Sequence, residues 1–195
     1  MGANLGGHDH ADDAGANLGA DLEAALGLGM FTVGGGLGYD SYAPLNGVPV
    51  HSATIAGRAG IAVPLAEYDT DRTIEIAAIS SLEAGVHRYS PEGHRKEFLG
   101  GSTDYRGNAE SSKFLGLRAG AAITIHPQGA TTGFILKVEV VGRRDFRTVD
   151  LEYDRVNCGG LFQDENDCSA ASHDMTTVGG TELGVTTSIG LAFGK

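Results

Sequence analysis

The chain has 195 residues, 31 of them glycine, no tryptophan and a formal net charge of −11. That length provides for one domain, or two small ones at most, and the glycines keep no Gly-X-Y period, which excludes collagen. The acidic balance argues against a nucleic-acid binder, which needs clustered Lys and Arg for phosphates, and no apolar run approaches the roughly 18 to 20 residues of a membrane-spanning helix.

Residues 1–20 are rich in Gly, Ala, Asn and Asp, and no Lys or Arg precedes Arg58. Gly2-Ala3-Asn4-Leu5-Gly6 returns as Gly15-Ala16-Asn17-Leu18-Gly19, but two copies are too few for a repeat fold. The composition predicts a flexible acidic tail ahead of a domain over 21–195. His8-Asp9-His10 with Asp12 and Asp13 offers imidazole and carboxylate to a transition metal. A flexible tail fixes no ligand geometry, so a solvated segment is the favoured reading and no metal is expected. Met1 runs directly into polar residues with no export leader, so export implies a leader already removed.

Beyond the tail, apolar residues recur with period two, the signature of half-buried strands. The first run, 22–33, carries Leu22, Leu26, Leu28 and Met30 against Glu23, and its composition also suits a helix. Gly34 to Gly38 follows without the Lys-Ser or Lys-Thr of a phosphate-cradling loop. In 53–65 the odd positions are apolar, from Ala53 to Leu65, and Arg58 lies on the even face. In 73–89 Ile74, Ile76, Leu82 and Val86 oppose Glu75, Ser81, Glu83 and His87. Residues 113–126 set Leu115, Leu117, Ile123 and Ile125 against Gly116, Arg118, Gly120 and Thr124. Residues 133–141 set Phe134, Leu136, Val138 and Val140 against Lys137 and Glu139. The last run sets Leu183, Val185, Ile189, Leu191 and Phe193 against Glu182, Ser188 and Gly190. Six strands are visible.

Short turns at Glu67–Asp71 and Pro127–Ala130 alternate with long polar loops at 40–51, 90–112 and 154–175. An antiparallel meander gathers such turns at one end and such loops at the other. The last loop holds both cysteines, Cys158 and Cys168, with nine residues between them. That spacing suits a disulfide and is not the C-x-x-C of a redox or zinc motif, so an oxidising compartment is expected. Asp164-Glu165-Asn166-Asp167 in the same loop lacks the spacing and central Gly of a calcium loop.

The polar face decides which side is wet. It is built mostly of Gly, Ala, Ser and Thr with one or two charges per strand, and Gly57, Gly60, Gly116, Gly120, Gly184 and Gly190 point to a lack of room. Small barrels have such an interior, and the apolar face supplies the roughly 9 to 11 residues of a tilted membrane strand. This pattern resembles the small outer-membrane β-barrels of Gram-negative bacteria, the OmpA/OmpX-like class, over about residues 21–195. The resemblance rests on pattern and on no signature motif. It implies an all-β, antiparallel, up-and-down transmembrane barrel of about eight strands. It further implies loops facing outward, short turns facing the periplasm, and no cofactor. Barrels of this class end on an aromatic residue; here Gly194 and Lys195 follow Phe193. Hidden strands are expected from a hairpin turning at Gly34-Gly35-Gly36, or around Phe98 and Tyr105. With six Tyr, seven Phe and no Trp, the aromatic girdle is expected to be thin.

Inward charges must be paired, because unpaired buried charge is costly. A two-residue turn at Thr70-Asp71 sets Arg58 opposite Glu83, and one at Gln128-Gly129 sets Arg118 opposite Glu139. Both pairs are predicted to lie within hydrogen-bonding reach, with Glu23, Glu75, Lys137 and Glu182 as further inward charges. An interior filled this way predicts weak conduction. Arg143, Arg144 and Arg147, toward the loop end of the fifth visible strand, offer bidentate contacts to lipopolysaccharide phosphates; pairing with Asp145, Asp150 and Glu152 is the plainer alternative. His87, near Ser90 and Glu92, is the one histidine placed for lipid hydrolysis, while His126 lies at the short-turn end. No Gly-x-Ser-x-Gly motif accompanies either, so no catalytic residue is assigned. The expected role is structural, surface-interacting or that of a narrow pore, with the bilayer, lipopolysaccharide and a surface protein as partners. The alternatives are a soluble secreted barrel holding a small apolar ligand and a lipid-modifying enzyme.

Overall fold

Side chains that alternate along a strand give it one apolar and one polar face, and closing such strands into a ring leaves no edge unpaired. The computed structural model describes residues 1–10, 13–42, 48–96, 100–160 and 163–193, and these form strands and connections with no helix. In chain order the strands are β1 (Gly2–His10), β2 (Asp13–Leu28), β3 (Phe31–Tyr42), β4 (His51–Asp69), β5 (Arg72–Ser90) and β6 (Gly93–Lys96). There follow β7 (Ser102–Gly107), β8 (Glu110–Pro127), β9 (Thr132–Asp145), β10 (Val149–Gly160), β11 (Gln163–Cys168), β12 (Ser172–Val178) and β13 (Gly180–Phe193). Eight of them close into a ring, a barrel in the order β1-β2-β3-β4-β5-β8-β9-β13. Every neighbouring pair is antiparallel, β13 returning to β1.

The segment expected to be a tail is wall. β1 pairs on one side with β2 and on the other with β13, so it is the stave that closes the ring. The repeated pentapeptides form part of this closure: Leu5 lies directly opposite Leu18, and both point outward with over 60 % of their surface exposed. Gly, Ala, Asn and Asp are poor strand formers by composition, yet hydrogen bonding on both edges outweighs that preference here. Asp12, in the connection from β1 to β2, lies outside the described residues.

The run 22–33 is two strands rather than one. The chain reverses at Gly29-Met30, where Gly29 takes a left-handed φ of 66° that suits glycine. Gly34, Gly35 and Gly36 therefore do not form the turn; they lie within β3. With β1 and β3 added, six visible strands become eight.

Both predicted registers keep their parity, and one moves. Arg58 is opposite Glu83, as the turn at Thr70-Asp71 requires. Asp69 pairs with Thr73, one residue out of step, and a bulge between Pro64 and Ala66 restores the expected alignment. The turn between β8 and β9 spans four residues, not two, with Gly129 at φ 73°. Glu139 thus lies opposite Gly120, and Arg118 opposite Val141. A shift of two leaves every side chain on its predicted face.

Inward glycines make room for neighbours. A Cβ on Gly120 would stand 1.9 Å from the carbonyl oxygen of Val138, and one on Gly85 would stand 2.8 Å from the Phe114 ring. Gly57 departs from the expectation: it faces outward, where an added Cβ meets nothing within 4 Å.

The long loops fold as well. β6, β7, β10 and β11 form a sheet, and β12 joins it along β10. Tyr105 lies in β7, a strand of this sheet and not one of the ring's staves, whereas Phe98 is outside the described residues. Tyr42, Val48, Val50, Tyr89, Tyr105, Val149, Leu151, Tyr153 and Val178 form a buried apolar cluster between this sheet and the loop end of the ring. Burial, with Asp174 and Tyr105 adding to it, pushes the Tyr153 phenol up. Cys158 and Cys168 face each other across β10 and β11 and are joined by a disulfide.

That bond closes a short loop between β10 and β11, worth about 3 kcal/mol of local stability. Replacing both cysteines with serine should leave the ring intact. Limited proteolysis between 158 and 168 should accelerate at least tenfold, and unchanged cleavage would show that the sheet holds the hairpin without the bond.

Candidate functional site

The interior of the ring is layered from the loop end downward. Beneath the apolar cap, the Tyr42 hydroxyl donates to Glu182. The Tyr89 hydroxyl donates to Asp145 Oδ2 at 2.7 Å, and the Gly180 N–H donates to the same oxygen at 3.2 Å. His87 Nδ1 lies 3.0 Å from the Tyr89 oxygen and 3.2 Å from Asp145 Oδ1, its ring stacked 4.2 Å from Phe114. His87 is fully buried and its Nδ1 is engaged by Tyr89 and Asp145; Ser90 accepts instead from the backbone of Glu92. The predicted grouping of His87 with Ser90 and Glu92 is therefore not formed.

The next layer is ionic. Arg118, 1 % exposed, reaches Glu83 at 3.0 Å, Glu139 at 3.2 Å, Glu23 at 3.5 Å and Asp21 at 3.6 Å. Arg58 pairs with Glu83 at 3.3 Å, with Glu23, and with Asp21 at 3.9 Å. Lys137 also pairs with Glu23. Arg143 reaches Glu83 at 3.0 Å and Glu182 at 3.7 Å, its guanidinium 5.5 Å from the Phe114 ring centre. Five carboxylates thus meet four cations across six strands. Glu83, fully buried and shared by three arginines, is the centre of the network.

Below this layer the lumen widens into a cavity of about 270 Å³. Its walls are mostly small, as at Ala25, Gly34, Ala62, Ala77 and Ala122, and its charged residues include Glu23, Arg58, Lys137 and Glu139. Glu75 also lines it.

The four residues of the predicted pairs all face inward and are bonded, as are Glu23, Lys137 and Glu182. Glu75 faces inward, and no ion pair to it is formed among the described residues. Arg143 corrects the sequence reading: it is buried in the network instead of waiting at the surface. It shares parity with Glu139 and Val141, whereas Arg144 points outward and is exposed. Arg147 is exposed too, donating to the Ser111 carbonyl at 3.2 Å. Sequence reasoning missed Asp21, assigned no role at the tail boundary, although it shares parity with Glu23. It also missed Tyr42 and Tyr89, and it offered Asp145 to the arginines beside it, whereas Asp145 engages Tyr89 and His87.

Among the described residues, no three His, Cys, Asp or Glu side chains converge as a metal-ligand set. The side chains of His8, His10, Asp13 and Asp164–Asp167 lie outside that description. Comparison with protein-family models, with curated proteins and with solved structures finds no match to this chain.

Proposed function

We propose that this chain is an integral outer-membrane β-barrel whose lumen is closed and whose working surface is the sheet of long loops. One observation carries the reading: large aliphatic side chains face outward around the ring while its ion pairs face inward. Leu5, Leu22, Leu37, Ile55, Leu82, Leu117, Val138 and Leu183 represent all eight staves and are 47–65 % exposed. In water such a belt far exceeds the apolar patch a soluble monomer tolerates. In a bilayer it is the required surface, because the ring satisfies its own backbone.

The dimensions agree with that setting. Along β8 the outward apolar positions run from Leu115 to Ile125. At about 3.4 Å per residue and a tilt near 45°, they span roughly 24 Å of bilayer, close to the apolar band of known barrels. Phe31, Tyr68, Phe134 and Phe193, all exposed, mark the turn end of four strands. A soluble barrel with an apolar ligand needs the reverse arrangement, aliphatic inside. The packed ion pairs and the cap above them favour a surface-interacting or structural role over a conducting one.

The test is gel mobility after extraction in mild detergent, unheated against boiled in SDS. A closed membrane barrel resists cold SDS, so a clear mobility shift is expected, with precipitation when detergent is withdrawn. Equal mobility together with a monomer stable in plain buffer would overturn the proposal.

A further inference from the structure

Of the cations placed by the described residues, Arg58, Arg118, Lys137 and Arg143 are spent inside the ring. Four others gather on its outer wall. Arg88 on β5, Lys113 on β8 and Arg144 on β9 are exposed and share the outward parity of three adjacent strands. The ladder sets them at nearly one height: Lys113 is opposite Val86, two residues from Arg88, and Arg144 is opposite Leu115, two residues from Lys113. Arg147 joins them through its bond to the Ser111 carbonyl.

No carboxylate pairs with Arg88, Lys113 or Arg144 among the described residues. Glu110 and Asp145, nearest along the strands, have the opposite parity. Asp9 is the closest outward acid in the ladder, two strands from Arg144 across Thr181. Immediately toward the turn end, on the same face, stand the aliphatics Val86, Leu115 and Leu117. The cations therefore occupy the upper margin of the apolar belt, on one flank of the ring only. Outward Gly142 lies between Leu117 and Leu183 just below Arg144, leaving a shallow dip in the wall.

From this placement we infer that Arg88, Lys113, Arg144 and Arg147 bind the headgroup of a lipid carrying more than one phosphate. The inference rests on the membrane reading and goes beyond it by assigning a specific lipid site. Four positive charges across three strands, spread over about 16 Å once the two-residue steps between neighbours are added to the strand spacing, match two phosphates better than one zwitterionic headgroup. Arg holds phosphate oxygens through a planar fork and Lys as a point charge, while the dip at Gly142 receives an acyl chain. Arg143, whose side chain is consumed inside, takes no part.

The full chain in neutral detergent, titrated with bisphosphorylated lipid A and followed by native mass spectrometry, tests this directly. Expected is a single adduct at least tenfold tighter than with phosphatidylcholine. Each of R88Q, K113Q, R144Q and R147Q should weaken it about fivefold, the value of one basic residue at a membrane surface, and all four together at least a hundredfold. Arg106→Gln in the loop sheet should change nothing. Wild-type affinity in the quadruple variant overturns the site; so does lipid A bound no more tightly than phosphatidylcholine. Complete displacement by inorganic phosphate at matched phosphate concentration overturns the lipid as ligand. The single variants decide the matter if the quadruple variant loses its cold-SDS mobility. A wild-type chain with no mobility shift, read before any lipid is added, marks failure of the membrane reading instead.

Discussion

Replacing Arg118 with alanine is expected to destabilise the ring by about 3–5 kcal/mol, the cost of stranding buried charge by removing its partner. Arg118 touches four carboxylates, and it is the only cation within reach of Glu139 among the ion pairs described. Without it, fully buried Glu83 keeps Arg58 and Arg143, but Glu139 keeps none of these contacts. With no tryptophan to report unfolding, the measurement is the fraction of compact, cold-SDS-resistant band across a urea series. A loss below about 1 kcal/mol would mean that water, not Arg118, satisfies these carboxylates.

The network makes a sharper demand than the single variant. Arg118→Ala and Glu83→Ala remove opposite ends of one buried contact, so their costs should not add. The double variant should be more stable than the sum of the singles predicts by about 1–3 kcal/mol. Arg58→Ala should cost less than Arg118→Ala, because Arg58 is more open and Lys137 remains on Glu23. Equal costs would place the load on overall charge balance rather than on the geometry around Glu83.

The parts of this architecture legible in the sequence are those a single strand decides alone. β4, β5, β8, β9 and β13 each alternate clearly, and parity alone sends Arg58, Glu83, Arg118, Glu139 and Lys137 to one face. Parity also survives errors of register: the β8–β9 turn is two residues longer than expected, yet Arg118 still finds Glu139 by reaching diagonally. What a strand cannot decide alone is whether a neighbour completes it. β1 looks like a tail until β2 and β13 bracket it, since its Gly, Asn and Asp gain their stability from two ladders. Arg143 was legible in principle, two residues beyond Val141 on the inward parity. The apolar run ends at Val141, so its basic neighbours read as a surface group. The cap was not legible, because Tyr42, Tyr89, Leu151 and Val178 come from segments that only the closed ring brings together.

Placing arginine at Val138 separates the two environments this ring could occupy. Val138 is outward on β9, opposite Ala121 on β8 and Thr187 on β13, near the middle of the apolar belt. Nearly half of its surface is exposed. On the surface of a soluble protein, such a change stays within about 0.5 kcal/mol of neutral. At the midplane of a bilayer, an arginine on the lipid face of a barrel costs about 2–4 kcal/mol. Thr132, six residues earlier on the same strand and face, lies at the turn-end margin, where Thr132→Arg should cost about 0–1 kcal/mol. Both substitutions leave the ionic interior untouched, so their difference reads only the medium around the ring. Stability measured in lipid vesicles should therefore fall steeply for Val138→Arg and barely for Thr132→Arg. Equal, small effects at the two positions would mean water on both, and the outward aliphatics would then need a protein partner to cover them.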